Sequence, residues 1–300
     1  SPAGLQWFPH HGDAVARLAV AWLEKGCRRH LQRRWWRLCD VHRAGLMAGE
    51  RLLFQVQVPV MPIRAEARDA SEMVTQGLAG ERVEWLEAGE KDWVRVRCDW
   101  DGYEGWCDKK QLCEIDDNQT VDEIYLEPNL TCFTRLADGA VMWYSMGSRL
   151  AVADGGEQYR CGEWLLQPHD AVGQTLGCDD AVSVALRLLG VPYLWGGRSA
   201  FGIDCSGLVQ LAWAAKGVAL PRDASQQCGV GQAVGVGERG DLAFFSNDNG
   251  AIVHVGILLS PGEILHAAGE VRRDRFSAEG IQHAPSGKLT HRLAGIRRVG

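Results

Sequence analysis

Phe201-Gly202-Ile203-Asp204-Cys205-Ser206-Gly207-Leu208-Val209 sets a cysteine between a turn and the start of a helix. Glycine and a capping aspartate precede Cys205. Leu208, Val209, Leu211, Ala212 and Ala215 follow at the i, i+3, i+4 spacing of a helix with a buried face, and Gly217 ends it. The sulfur therefore belongs to the first helical turn. Unpaired backbone N–H groups and the positive end of the helix dipole favour a thiolate there, and the same N–H groups can hold a developing oxyanion. Asp204 opposes the thiolate by its charge, which a nearby imidazolium can offset. No other cysteine among the ten has this setting.

A nucleophilic thiol needs a base. Ala251 to Leu259 reads as a strand with Val253, Val255, Ile257 and Leu259 on one face and Ile252, His254, Gly256 and Leu258 on the other. Ser260-Pro261-Gly262 is a turn signal, and Glu263 to Ala267 is the returning strand that carries His266. A two-residue loop sets Ser260 against Glu263 and puts His254 and His266 on opposite faces. A three-residue loop sets Leu259 against Glu263, and His266 then lies opposite Gly256 and diagonal to His254 on one face, within side-chain reach. The reading of Cys205 as nucleophile, His254 as general base and His266 as the group that orients it requires the second register.

Upstream, Asp179 or Asp180 caps a helix with Val184, Ala185, Leu188 and Leu189 on one face, ended by Gly190-Val191-Pro192. Downstream of Gly240, strands are expected over Asp241 to Ser246, Ala251 to Leu259, Glu263 to Ala267 and Gly295 to Val299. Helices followed by strands give an α+β order. Toward the amino terminus the texture is all-β. Trp93 to Cys98 alternates Val94, Val96 and Cys98 against Trp93, Arg95 and Arg97, the turn Asp101 to Gly105 follows, and Trp106-Cys107-Asp108 makes a second short strand.

These blocks carry a resemblance. D-C-S-G-L-V, G-D-L-A-F-F, H-V-G-I and I-L-H-A-A-G, in order over about 175 to 300, resemble the NlpC-type family of papain-like cell-wall cysteine peptidases. W-V-R-V followed by G-Y-x-G-W resembles the last hairpin of a bacterial SH3-type domain. The division expected is a basic extension at 1–46, an SH3-like domain at 47–115, a divergent second one at 120–168 after the linker Glu114 to Gln119, and the peptidase domain at 170–300. The fold class is α+β, a papain-like catalytic domain preceded by small all-β SH3-like barrels.

The resemblance also implies roles. Cys205, His254 and His266 are the triad, and Pro192-Tyr193-Leu194-Trp195-Gly196-Gly197 places Tyr193 near the thiol, whereas Trp195 is expected in the core. Family members with front SH3-like domains resemble γ-D-glutamyl-L-diamino acid endopeptidases that demand a free N-terminal L-alanine. That implies Asp204 and Ser206 at the ammonium, Ser225 as a further contact, and Tyr103 and Glu72 from the first SH3-like domain closing the subsite. The implied reaction splits the bond between γ-D-glutamate and the diamino acid of peptidoglycan stem peptides. An amidase or acyltransferase on the same fold, or a vestigial wall-binding protein, are the alternatives.

Composition is that of an ordinary soluble globular protein, and the length suggests more than one unit: 300 residues, 46% hydrophobic and 23% charged. The net charge of -6 argues against nucleic acid as a partner. Residues 1–46 hold eight Lys or Arg against three Asp or Glu, so the remainder is more acidic still. Arg28 to Arg37 has the look of a basic membrane-surface helix, although a loose extension is the preferred reading. No apolar run is long enough to span a bilayer, and Ala14 to Leu23 lacks the flanks of a signal peptide. The ten cysteines show no C-x-x-C pair and no Cys/His cluster with zinc spacing, and most read as buried thiols in a reducing compartment. A cytoplasmic monomer acting on a peptidoglycan-derived peptide, with no cofactor and no metal, is expected; a periplasmic or secreted site is the alternative.

Overall fold

The structure is a computed structural model, and it describes residues 51–115, 122–127, 129–172 and 180–300. The basic extension, most of the expected linker and Asp179 lie outside the described residues.

Among the described residues the chain forms three larger sheets, a two-stranded hairpin and three α-helices. The first sheet holds β1 (Leu53–Val56), β2 (Val60–Arg64), β3 (Met73–Leu78), β4 (Arg82–Ala88), β5 (Trp93–Cys98), β6 (Glu104–Asp108) and β7 (Leu112–Glu114), in the order β3-β2-β6-β5-β4-β1-β7. The alternation read in β5 decides its faces. Val94 and Val96 are buried, while Arg95 and Arg97 point outward to Glu104 at 2.8 Å each.

The second sheet holds β8 (Glu123–Tyr125), β9 (Leu130–Arg135), β10 (Val141–Ser145), β11 (Arg149–Ala153), β12 (Gln158–Cys161) and β13 (Trp164–Pro168), in the order β10-β9-β13-β12-β11-β8. It has its own aromatic core. Phe133 meets Tyr144 and Tyr159 edge-on at centroid distances of 5.4 and 5.9 Å, the arrangement ring quadrupoles favour.

The third unit begins with α1 (Ala181–Leu186), capped by Asp180, whose Oδ1 accepts the Ser183 N–H at 2.6 Å. Val184, Ala185 and Leu188 are buried as expected, but Leu189 is 42% exposed and Val182 takes its place in the core. The helix ends before Leu189, so the chain has already turned outward there. A hairpin of β14 (Arg198–Ser199) and β15 (Gly202–Ile203) leads into α2 (Cys205–Ala214), and α3 (Ala224–Gln227) follows. Every residue of α2 is buried. Leu208, Val209, Leu211 and Ala212 were expected inside; the opposite face is covered too, so α2 is a core helix and not a surface one.

The last sheet holds β16 (Gln232–Val234), β17 (Leu242–Ser246), β18 (Ile252–Ser260), β19 (Glu263–Ala268), β20 (Glu270–Ser277), β21 (Gly280–Gln282) and β22 (Leu289–Arg298), ordered β16-β22-β17-β18-β19-β20-β21. A further β21–β22 pairing closes six of these strands into a ring. The helices pack on its outside against Val255, Ile257, Leu259, Leu265 and Ala267. Its inner face carries Phe245, Leu258, Ile264 and Ile281. The strands β20 and β21 were not anticipated from the sequence.

The β18–β19 hairpin resolves the register question in an unexpected way. Ser260 faces Glu263, so the loop is the two residues Pro261 and Gly262. An irregularity between Leu258 and Ser260 then restores Leu258 opposite Ile264 and Ile257 opposite Leu265. Leu259 is the extra residue of a β-bulge, and it does what a three-residue loop would have done. His254 and His266 end on one face. A second irregularity, between Phe245 and Ser246, makes Val253 extra at the other end of β18. Val253 is accordingly 50% exposed and not part of a continuous apolar face.

The three units share a core. Leu78 and Met146 join the cluster built around α2. At Gly147, whose φ is 90°, a Cβ would stand 2.5 Å from Leu211 Cδ1 and 2.7 Å from Leu78 Cδ1, so only glycine fits where all three meet.

Candidate active site

Asp204 caps α2 through an Oδ1 that accepts the Gly207 N–H at 2.7 Å, which puts Cys205 in the first turn as expected. Cys205 is 7% exposed. Burial, and after it the Asp204 charge, push its thiol up to about 11, while the N–H groups of Val255 and Ser206 and the Arg222 guanidinium act in the other direction. The Val255 N–H belongs to the strand residue that follows His254, so the sulfur sits against that strand. Tyr193 stands near the thiol, since burial first and the Cys205 charge second push its phenol up to about 12.

The two histidines form a chain with a carboxylate that the sequence did not single out. His254 Nε2 lies 2.9 Å from His266 Nδ1, and His266 Nε2 lies 3.0 Å from Asp274 Oδ2. All three are buried, at 6%, 0% and 2% exposure. Burial drives His254 well below the usual imidazole range, with His291, His266 and Arg272 adding to it. Burial also lowers His266, to about 4, against the pull of Asp274. Burial raises Asp274, yet the Ala284 N–H at 2.7 Å, His266, and Arg272 Nε at 2.9 Å outweigh it and keep the carboxyl below its ordinary value.

This chain assigns the tautomers. An ionised Asp274 only accepts, so His266 carries its proton on Nε2 and offers a lone pair at Nδ1. His254 must then donate from Nε2, which leaves Nδ1 with an open lone pair, the form a general base needs.

A groove of about 510 Å³ lies over the thiol, and Glu72, Tyr103, Tyr193, Asp204, Cys205, Ser206 and Ser225 all line it. Glu72 and Tyr103 come from loops of the first unit, just ahead of β3 and β6, the rest from the third unit. Trp195 lines it as well; it is 61% exposed and not a core residue, and its indole N–H donates to Glu72 Oε1 at 2.6 Å. The polar N–H is what draws this large ring out to the rim.

Arg222 was missed by sequence reasoning. It is 2% exposed and meets Asp204 with two nitrogens, Nη1 to Oδ1 at 3.0 Å and Nη2 to Oδ2 at 2.5 Å, while Nη1 also donates to Ser206 Oγ at 2.8 Å and Nε to Thr75 Oγ1 at 2.9 Å. Asp204 Oδ2 further accepts the Gly196 N–H at 3.0 Å. The charge of Asp204 is thus already matched inside the protein. Asp223 also lines the groove, where its Oδ1 accepts from Tyr103 Oη at 3.4 Å and burial pushes its carboxyl up.

His291, from β22, stacks on His254 at a centroid distance of 4.2 Å and 21° between planes. One ring nitrogen from each of His254, His266 and His291 lies within 4.8 Å of the others, the group of described residues that can hold a metal ion. Their separation along the chain hides this cluster from any motif.

Comparison with known proteins agrees with the geometry. The model of the NlpC/P60 family matches residues 190–289, and that of the bacterial dipeptidyl-peptidase SH3 domain matches 63–112. The gamma-D-glutamyl-L-lysine dipeptidyl-peptidase of Bacillus subtilis is 32% identical over 212 residues, 64% of this chain and 71% of that protein. The chain belongs to the NlpC/P60 family. It is a cysteine peptidase with an SH3 domain ahead of the catalytic one. The Bacillus cereus protein of the same name is 27% identical over 232 residues, 66% of this chain and 68% of that one. A crystal structure of an NlpC/P60 family protein from Bacillus cereus shares the fold, with a TM-score of 0.67 over 82% of this chain and 99% of that one at 21% identity. No helix among the described residues is long and apolar enough to cross a membrane.

Proposed function

We propose that this peptidase hydrolyses the bond between γ-D-glutamate and the diamino acid of peptidoglycan stem peptides that have a free N-terminal L-alanine. The observation that carries the reading is the groove itself. One wall holds Cys205 and the other is built by Glu72 and Tyr103 of the SH3 domain, so the space ahead of the thiol is walled and suits a short, trimmed peptide better than a long strand. The names of the relatives point to the same bond.

In the mechanism, His254 Nδ1 takes the thiol proton as Cys205 attacks the γ-carbonyl. His266 and Asp274 hold His254 in the accepting tautomer through the hydrogen bonds at 2.9 and 3.0 Å. The protonated His254 then gives its proton to the leaving amine, and water releases the dipeptide from the thioester. Charge recognition of the ammonium falls to Glu72 and Asp223, because Arg222 already shares both oxygens of Asp204. Asp204 and Ser206 shape the subsite, with Ser225 at its border. We place the reaction in the cytoplasm, a reading supported by the seven free thiols among the described residues.

Mass spectrometry of the L-Ala-γ-D-Glu-diamino acid tripeptide and its N-acetylated form tests this. The free form should yield dipeptide and diamino acid, and the blocked form should react about 10 to 150 times more slowly, the worth of a charge-assisted contact of ~1.5–3 kcal/mol. Cys205→Ala should be inert. Equal cleavage of both forms removes the ammonium subsite, and an inert wild type removes the reaction.

A further inference from the structure

We propose that His254, His266 and His291 form a site for Zn²⁺ or a similar late first-row divalent cation, and that filling it switches the peptidase off. The three imidazoles come from β18, β19 and β22, and one nitrogen of each lies within 4.8 Å of the others. Two nitrogens bound to a tetrahedral metal at ~2.0–2.1 Å stand roughly 3.3 Å apart. The 2.9 Å pair of His254 and His266 has to open by tenths of an ångström, and His291, now stacked on His254 with 21° between planes, has to turn out of the stack and close on them so that its nitrogen points at the ion.

Hydrogen bonds already aim two lone pairs. Asp274 holds the His266 proton on Nε2, which frees Nδ1, and the arrangement of carboxylate, imidazole and metal is the usual outer support of a metal-bound histidine. Thr290 Oγ1 donates to the Ile281 carbonyl at 3.3 Å, so it accepts from His291 Nδ1 at 2.9 Å, and His291 Nε2 is left bare. Three imidazole donors select Zn²⁺, Cu²⁺, Ni²⁺ or Co²⁺ over Ca²⁺ and Mg²⁺. His291 is partly exposed, which gives the ion a way in.

The consequence for the reaction follows from one proton. To ligate through Nε2, His254 must move its proton from Nε2 to Nδ1. The imidazole stays neutral, but the nitrogen that takes the thiol proton is now occupied. The ion also displaces the hydrogen bond between the two histidines. Inhibition rests on the proposed mechanism; binding does not.

Zn²⁺ and Co²⁺ titrations of the full chain test the site, with Cys205→Ala as background because the thiol is the obvious rival ligand. Cys205→Ala should keep the site, and adding His291→Phe, which retains a stacked ring but no nitrogen, should weaken binding at least 10-fold. The Co²⁺ spectrum should show tetrahedral d–d bands, and the part lost with His291 should carry no thiolate charge-transfer band. Cys132 and His169, 3.4 Å apart on the second sheet, are present in every variant and cancel in the comparison. Zn²⁺ should inhibit tripeptide hydrolysis reversibly by chelator. The half-inhibitory concentration should rise at least 10-fold in His291→Phe, each protein being referred to its own chelated rate. Should His291→Phe not fold, His291→Gln replaces it. Equal Zn²⁺ affinity with and without His291, or loss of the site in Cys205→Ala, would overturn the proposal. If the tripeptide is not a substrate, the binding titrations still decide the site.

Discussion

Arg222 and Asp204 show what single residues contribute beside the thiol. Both are buried, and each meets the other's charge with two hydrogen bonds. Removing one partner of such a pair strands the other charge, so Arg222→Ala should lose ~3–5 kcal/mol of unfolding free energy in urea, and Arg222→Lys, unable to meet both oxygens, should recover little of it. A loss below about 1 kcal/mol would mean that solvent reaches Asp204, in contrast to its 6% exposure. Cys205, His254 and His266 were legible in the sequence because a capping aspartate, a buried helix and a turn signal lie next to them. Arg222, Asp274 and His291 were not, because each acts on a partner far from it along the chain or on a strand without a readable pattern. Asp274 sits in Arg272-Arg273-Asp274-Arg275, which reads as a solvated charge run until the ring of strands closes over it.

At the scale of elements, the hairpin of β18 and β19 does the positioning. The Pro-Gly turn was legible, and the strands on either side of it were too. The bulge at Leu259 was not, since an extra residue in a strand leaves no mark when its side chain is apolar like its neighbours. Gly256 is the pivot of this geometry. A Cβ there would meet Ile264 Cδ1 at 2.7 Å and His266 Cβ at 3.1 Å, so Gly256→Ala has to push β19 away from β18. Overpacking of this kind costs about 1–3 kcal/mol. The variant should also lose kcat by at least 10-fold with little change in KM, because the His254–His266 bond stretches while the groove is untouched. Steady-state kinetics checks this, and a loss confined to KM would contradict it.

The whole molecule depends on contacts that no domain-by-domain reading supplies. The all-β texture of the front and the α+β order behind it were legible, but the shared core at Gly147, Leu78 and Leu211 was not. The same is true of Arg198, which is 3% exposed and reaches from the peptidase domain to Glu81 of the SH3 domain with two bonds at 2.9 Å, and to the Gln76 carbonyl at 3.0 Å. This pair holds the wall that carries Glu72 and Tyr103 in place. Glu81→Ala should cost ~3–5 kcal/mol and raise KM for the free tripeptide more than it lowers kcat. Urea titration with kinetics on the same preparation would show it; an unchanged KM would separate the SH3 domain from substrate recognition. In the proposed mechanism Cys205, and no other thiol, carries the acyl group of the substrate. Intact-protein and peptide mass spectrometry after mixing with an activated ester of L-Ala-γ-D-Glu measures that directly. One added dipeptide acyl group is expected, on the peptide that contains Cys205, slow to leave in His254→Ala; an adduct on another cysteine, or turnover with no adduct in any variant, would rule that mechanism out.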